Sequence, residues 1–173
     1  LYSSQKIEVG NVVYRLQKDL ETSLTCFIIT ADNVTLDLNN HIIQGDGDLG
    51  DYGVFSDGFS GTVVKNGIIK YFNTGIFLKA AKKSKILDNQ VEHNFDSGLT
   101  IISSFDSIVQ NNLFLYNSYY GMKIISGSNN QILYNTFNYN FDSGIFLQNS
   151  IYTTLSNNIV NDNSWNGIYL YKS

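Results

Sequence analysis

After Gly75, Gly98, Gly121, Gly144 and Gly167 the chain falls into a short alternation of apolar and variable positions. The first position after these glycines and after Gly53 reads Val54, Ile76, Leu99, Met122, Ile145 and Ile168. The third reads Leu78, Ile101, Ile124, Leu147 and Leu170, with Ser56 the exception. Between them Phe55, Phe77, Thr100, Lys123, Phe146 and Tyr169 vary freely. A period of two with one constant apolar side predicts a half-buried strand. Two further columns, Val63/Ile86/Val109/Ile132/Leu155 and Ile68/Val91/Phe114/Phe137/Val160, predict two more inward walls. No stripe has helical spacing.

The six glycines are spaced 22, 23, 23, 23 and 23 residues apart, and a fixed period over most of a chain is the mark of a solenoid. The pentapeptide Asn94-Phe95-Asp96-Ser97-Gly98 recurs as Asn140-Phe141-Asp142-Ser143-Gly144, with Asn117 to Gly121 as the divergent copy between them. Nine residues before successive glycines stand Asn66, Asn89, Asn112, Asn135 and Asn158; four before them stand Asn94, Asn117, Asn140 and Asn163. Three strands per period with asparagines between them predict an all-β fold, a right-handed parallel β-helix solenoid of about six turns of ~23 residues. Stacked strands sit ~4.8 Å apart, so the rod would be roughly 29 Å long. The asparagines are expected to form a structural ladder, turning the chain and hydrogen-bonding from one turn to the next. Residues 1–25 are expected to form an amino-terminal lead-in or cap, and residues 26–173 the β-helix. The final strand is expected to continue into more chain or against an adjacent identical copy, since an uncovered edge invites pairing. Cys26 falls in the glycine register of a first turn, as a small buried side chain.

The segments "NTFNYNFDSGIFL", "NNIVNDNSWNGIYL" and "CFIITADNVTLDLNNHIIQGDG" resemble right-handed parallel β-helix repeat proteins, in particular NosD-like and carbohydrate-binding or sugar-hydrolase type repeats, over residues 12 to 173. The resemblance implies the fold and an extracellular or cell-surface location. It leaves function open, because one rod carries lyases, epimerases, adhesins and structural modules. Pectate-type lyases would imply an arginine or lysine base beside calcium-bound acids, whereas the sole arginine, Arg15, lies in the first 25 residues. Epimerase-like relatives would imply Asp, His and Tyr within a proline-containing motif, and this chain has no proline.

Composition narrows the partners. Of 173 residues 43% are apolar, which suits a folded domain, and the net charge of −4 gives no general attraction to nucleic acid. Lys79, Lys82, Lys83 and Lys85 read as a solvated turn. No run approaches the ~18 apolar residues of a membrane span. With 14% aromatic residues, rings at non-core positions stand out: Tyr119, Tyr120, Trp165, Tyr169 and Tyr171 are candidate contacts for polysaccharide or a protein partner.

Five residues before the glycines lies the column Lys70, His93, Tyr116, Tyr139, Asp162. His93 and Tyr116 on adjacent turns, with Glu92 and Asp96 nearby, form the alternative catalytic set, able to move a proton next to a uronate carboxylate. Asp46, Asp48 and Asp51 are oxygen ligands of the kind calcium takes, without EF-hand spacing, so no cofactor is favoured beyond a calcium alternative. His41 and His93 do not make a zinc pattern. Asn33 begins the one glycosylation sequon, Asn33-Val34-Thr35. The leading expectation is a secreted or surface β-helix module with a structural, assembly or carbohydrate-contacting role; the alternative is a lyase or C5-uronate epimerase acting on acidic polysaccharide.

Overall fold

The computed structural model describes residues 1–173. It contains no helix, only short strands that coil as a right-handed parallel β-helix. Three sheets run along the rod. Sheet A stacks Gln5–Ile7, Phe27–Ile29, Tyr52–Asp57, Thr74–Lys79, Leu99–Ile102, Met122–Ile125, Ile145–Gln148 and Ile168–Tyr171. Sheet B stacks Val13–Arg15, Thr35–Asp37, Val63–Lys65, Lys85–Leu87, Ile108–Gln110, Gln131–Leu133 and Thr154–Ser156. Sheet C stacks Leu20–Glu21, Ile42–Gln44, Ile68–Lys70, Gln90–Glu92, Leu113–Leu115, Thr136–Asn138 and Ile159–Asn161. Seven strands in each of sheets B and C make seven complete turns, one more than the period predicts. The additional turn is residues 1–25, which pair with the next turn through Gln5↔Phe27, Val13↔Thr35 and Leu20↔Ile43.

The alternation after each glycine is the sheet A wall. Ile76, Leu99, Met122 and Ile145 lie in one register and are fully buried, as are Leu78, Ile101 and Ile124 beside them. Gly53, Gly75, Gly98, Gly121 and Gly144 are required by space, since their backbone angles are ordinary. A Cβ on Gly121 would meet the Gly144 carbonyl at 2.7 Å, the Phe137 ring at 2.9 Å and the Asn140 amide at 2.9 Å. Cys26 lies in this register, one residue before the Phe27↔Val54 pair, and is buried.

Sheets B and C follow the predicted columns with one correction. Val64, not Val63, and Ile69, not Ile68, face inward, paired with Ile86 and Val91. The cause is a corner one residue short: four residues separate Lys70 from Gly75, where five separate Glu92 from Gly98. Counting back from Gly75 therefore misplaces everything before the corner by one. Phe72 fills the gap, fully buried, its N–H donating to Asn94 Oδ1 at 3.1 Å in the place an asparagine holds on later turns.

Two amide ladders run through the corners. From B to C, the backbone N–H and side-chain Nδ2 of Asn89, Asn112 and Asn135 each donate to the Oδ1 of the next rung, ending at Asn158, over 2.9–3.2 Å. Asn66 stands one position off this ladder for the reason just given; Gly67 holds its place, and the Asn66 amide turns to Asp37 at 3.1 Å. From C to A, Asn94, Asn117, Asn140 and Asn163 repeat the arrangement. The turning and the bonding, expected from one residue, are divided between two. The residue before each rung takes the left-handed backbone, as at Asn111 (φ 57°) and Asn157 (φ 54°), while the rung asparagine does not. At the A-to-B corner serines do similar work, with the Ala81 N–H donating to Ser104 Oγ at 3.0 Å.

Ile168–Tyr171 is the eighth strand of sheet A, past the seventh complete turn; its Ile168 and Leu170 are 45% and 53% exposed, and the expected covering by further chain or a second copy would fall on this face.

Each internal rung holds several otherwise unsatisfied buried groups. Asn135 Nδ2 also donates to the Val109 carbonyl at 2.8 Å, and its Oδ1 serves two donors of Asn112. Leaving buried donors and acceptors unpaired costs ~1–3 kcal/mol each. Asn135→Ala should therefore lower unfolding free energy by about 3 kcal/mol or more in chemical denaturation, and Asn157→Ala, at an exposed neighbour off the ladder, by much less. Equal losses would show that the ladder does not carry the stability.

Candidate functional site

The residue before each C-to-A rung must adopt the left-handed conformation, which asparagine and aspartate tolerate best. On five successive turns it is Tyr71, His93, Tyr116, Tyr139 and Asp162, with φ between 53° and 60°. The short corner puts Tyr71, not Lys70, at the head of this column; Lys70 pairs with Glu92 instead. The left-handed backbone costs a non-glycine residue roughly 1–2 kcal/mol. An aromatic pair contributes ~0.5–1.5 kcal/mol beyond the area it buries, so stacking and burial together offset the strain. Elsewhere the fold uses Asp88, Asn111 and Asn157 at such positions, and Tyr134 and Tyr152 singly. The run of rings at one corner departs from the asparagine, aspartate and serine that the fold uses at most such positions.

The four rings form a continuous strip. Centroids are 5.6 Å apart for Tyr71 and His93, 5.2 Å for His93 and Tyr116, and 5.0 Å for Tyr116 and Tyr139. The last two pairs are nearly parallel, at 21° and 10°. Parallel rings at that separation are offset, so each leaves part of a face and its polar edge to solvent.

Beside the strip runs the column Phe95, Ser118, Phe141, Ser164, in which Phe141 is 69% exposed. Its ring divides two shallow hollows. One, of about 490 Å³, is walled by Tyr116 and Tyr139 with Asn117, Ser118 and Ser164 at its edge. The other, of about 350 Å³, is walled by Tyr119 and Trp165, with Asp142 and Ser118. Towards sheet A, Tyr120 stacks on Phe146 at 4.9 Å, and Phe146 meets Tyr169 at 5.4 Å. At the amino-terminal end, the glycine-rich loop after Gly45 comes against the ring of Phe95 at Gly47.

Of the aromatic residues expected to make contacts, Tyr119 and Trp165 share one hollow, Tyr120 and Tyr169 flank Phe146, and Tyr171 stands apart beneath Lys172. Tyr71, Tyr139 and Phe141 belong to the site without having been singled out as contacts in the sequence. Tyr139 was signalled by the column it shares with His93 and Tyr116; Tyr71 was hidden by the short corner, and Phe141 stands in a column that holds a ring only at Phe95 and Phe141.

The alternative catalytic set is only partly assembled. His93 and Tyr116 are stacked neighbours, as expected. Glu92 accepts from the Gln90 amide at 2.7 Å and lies 3.9 Å from His93 Nδ1. Both carboxylate oxygens of Asp96 are taken, Oδ1 by the Ser97 hydroxyl at 3.2 Å and Oδ2 by Lys123 at 3.1 Å. Burial raises the Tyr120 phenol pKa, and Asp142 and Asp96 raise it further, so the field around this ring is negative. Another hollow, about 340 Å³ at the B-to-C corner, is lined by Asn40, Asp88, Gln90 and Asn111 and has no aromatic wall.

Residues 22–173 match the family described as "Periplasmic copper-binding protein (NosD)". The chain belongs to the NosD family. That description places the family outside the cytoplasm, in keeping with the location expected from the sequence. No curated protein matches the chain. Among solved structures, this NosD-family chain is similar to the A-module of the Azotobacter vinelandii mannuronan C-5 epimerase AlgE4, at 14% identity over 96% of this chain and 65% of that one, TM-score 0.49. It is also similar to the periplasmic alginate epimerase AlgG, at 12% identity over 84% of this chain and 46% of that one, TM-score 0.43. The catalytic domain of a GH87 α-1,3-glucanase follows at 11%, 97% and 41%, TM-score 0.36. The chain thus spans about half the length of the AlgG structure. Likenesses of this size say nothing of a shared site.

The residues present do not fit copper. Imidazole, thiolate and thioether are its usual protein ligands. Cys26 and Met122 are both fully buried in the core, and burial pushes the Cys26 thiol up to about 12. His41 sits at the B-to-C corner bonded to Asp19 at 3.0 Å, and His93 belongs to the C-to-A strip. No three His, Cys, Asp or Glu side chains converge on a metal position. Asp46, Asp48 and Asp51, the residues of the calcium alternative, do not form such a group either. Asp46 accepts the Asp48 N–H at 3.1 Å, capping its own loop, and Asp51 turns to the Thr25 hydroxyl at 3.5 Å. Asn33 is exposed, with its amide donating to Asn11 at 3.2 Å.

Arg15 lies on sheet B, paired with Asp37 at 3.2 Å, with Lys65 at 3.8 Å from the same carboxylate. Burial alone would raise the Asp37 pKa. The Asn66 amide, the Asn39 N–H and the two cations together hold it below the ordinary value. A carboxylate with a depressed folded pKa contributes stability above its unfolded pKa, and the contribution is lost as pH falls through the folded value. The difference in stability between wild type and Asp37→Asn should therefore be constant at neutral pH and shrink below pH ~3.9. A constant difference down to pH ~2 would contradict the assignment.

Proposed function

We propose that this NosD-family chain is an extracytoplasmic β-helix module that contacts polysaccharide along its C-to-A corner. The observation that carries the reading is the strip of Tyr71, His93, Tyr116 and Tyr139, one ring per turn in a backbone conformation that disfavours them. A repeat of about 5 Å between rings is comparable to the length of one sugar unit in an extended chain. Sugar rings present C–H faces to aromatic surfaces and hydroxyls to the side-chain hydroxyls beside them, here Ser118 and Ser164. The similar epimerases and glucanase are named for polysaccharide chemistry, which agrees with the reading without carrying it.

Native gels containing soluble polysaccharides test this. Mobility should be retarded by at least one polymer, and Tyr116→Ala with Tyr139→Ala should weaken retention roughly tenfold, the loss of two ring contacts at ~0.5–1.5 kcal/mol each. Unchanged retention in the double variant would place the contact elsewhere.

A second reading, catalysis on a uronate by lyase or C5-epimerase chemistry, is favoured by the adjacency of His93 and Tyr116. Removing the C5 proton requires a base and a group that neutralises the carboxylate. Lys70, over the Tyr71 ring at 5.2 Å, is a cation beside this end of the strip. On this reading, alginate or pectin incubated with the protein yields unsaturated or epimerised product that His93→Ala abolishes. Absence of product from the wild type removes the reading.

A further inference from the structure

We infer that the ligand of this corner is a neutral polysaccharide whose consecutive sugar units straddle the Phe141 ring, with a sugar hydroxyl donating to Asp142. The inference rests on the polysaccharide reading above and adds the class of polymer.

The two copies of Asn-Phe-Asp-Ser-Gly lie two turns apart in the same register. In both, serine donates to the aspartate beside it, Ser97 to Asp96 at 3.2 Å and Ser143 to Asp142 at 2.7 Å. The copies differ in the second carboxylate oxygen. Asp96 Oδ2 is held by Lys123, which lies 27 residues further along the chain. The residue 27 positions after Asp142 is Tyr169, so the cation that neutralises the first copy is replaced by a phenol ring at the second. Asp142 Oδ2 has no protein partner, and the carboxylate borders the hollow walled by Tyr119, Phe141 and Trp165.

Neither hollow beside Phe141 is lined by a lysine, arginine or histidine. Lys123, the nearest cation in the register, is occupied by Asp96 and lies over the Tyr120 ring at 5.6 Å. Burial raises the Tyr120 phenol first, and the two aspartates add to it. A polyuronate laid across Phe141 would bring its carboxylates towards Asp142 with no cation to receive them. A neutral sugar meets no such penalty: its hydroxyl donates to Asp142 Oδ2, its other hydroxyls reach Ser118 and Ser164, and its apolar face covers Phe141 or Trp165. A carboxylate that accepts from a ligand hydroxyl is a strong, directional contact. The two hollows, about 490 and 350 Å³, each have room for a sugar unit.

Calorimetry with neutral hexasaccharides (gluco-, xylo- and manno-oligomers) and with oligomannuronate and oligogalacturonate, at low salt, decides the matter. At least one neutral oligomer should bind, more tightly than either uronate. Phe141→Ala should weaken it at least tenfold. Asp142→Asn should weaken it roughly tenfold, the loss of a charge-assisted hydrogen bond. Tyr169→Lys, which restores the ion pair of the first copy, should weaken neutral binding and improve uronate binding; thermal melts of each variant check that the coil is intact. Tighter uronate binding by the wild type overturns the neutral class, and neutral binding unmoved by both Asp142→Asn and Tyr169→Lys overturns the contact with Asp142; either leaves polysaccharide contact standing. Binding of no oligomer overturns both.

Discussion

The structure depends on the hydrogen bond that a buried asparagine amide makes to its counterpart one turn away. A solenoid has no single core. Each turn buries its apolar side chains against its neighbours, and a slip of one residue would turn a whole wall outward. Apolar packing resists that slip but does not by itself fix one register, because Ile, Val, Leu and Phe are interchangeable within a column. The amide ladders do. In Asn112 and Asn135 each rung gives two donors to the next Oδ1 and a further bond to an inward-strand carbonyl, so only the 23-residue register satisfies every group. With register fixed at two corners, the three sheets follow and side chains outside the corners are free to vary.

That division explains what could be read from the sequence. Columns of asparagine and glycine at constant spacing, with a period-two apolar pattern beside them, are the requirements of the coil itself, so the fold and the inward faces of the last four turns were legible. The errors have one source. The corner Tyr71–Thr74 is one residue short, and counting back from Gly75 made Asn66 a rung, Lys70 a member of the ring column, and Val63 and Ile68 wall residues. A single buried ring, Phe72, stands in for an asparagine and closes the corner, and nothing in the local composition announces that exchange. The first turn was missed for a related reason. Residues 1–25 carry neither the glycine nor the rung asparagines, and their pairing with the second turn rests on backbone bonds, which any residue but proline can make.

The site was harder to see than the fold because it is built from positions the coil leaves free. Tyr119 and Trp165 are recognisable as aromatic residues outside the walls, whereas Tyr139 and Phe141 acquire meaning only when rings on successive turns are brought to 5 Å and the hollows between them appear. Family membership does not replace that step. The NosD family is described as copper-binding, yet this chain keeps its thiol and thioether inside the coil and its two imidazoles at different corners. The ladder holds the coil of this chain, while its outward residues can be exchanged without disturbing it.

The duplicated pentapeptide shows how small such a rewriting is. Both copies serve the coil equally, supplying a rung in Asn94 or Asn140 and a space-saving glycine in Gly98 or Gly144. Their aspartates, equal in sequence, are unequal in electrostatics because of a residue on a different sheet and a later turn. Lys123 turns Asp96 into half of an ion pair, partly screened and directed along the surface. Tyr169 leaves Asp142 with a free oxygen among rings, where a carboxylate is most demanding of a donor. Repetition supplies the positions, and the departures from repetition supply the chemistry; in a solenoid a functional residue is therefore best sought where one column breaks its own pattern next to another that keeps it.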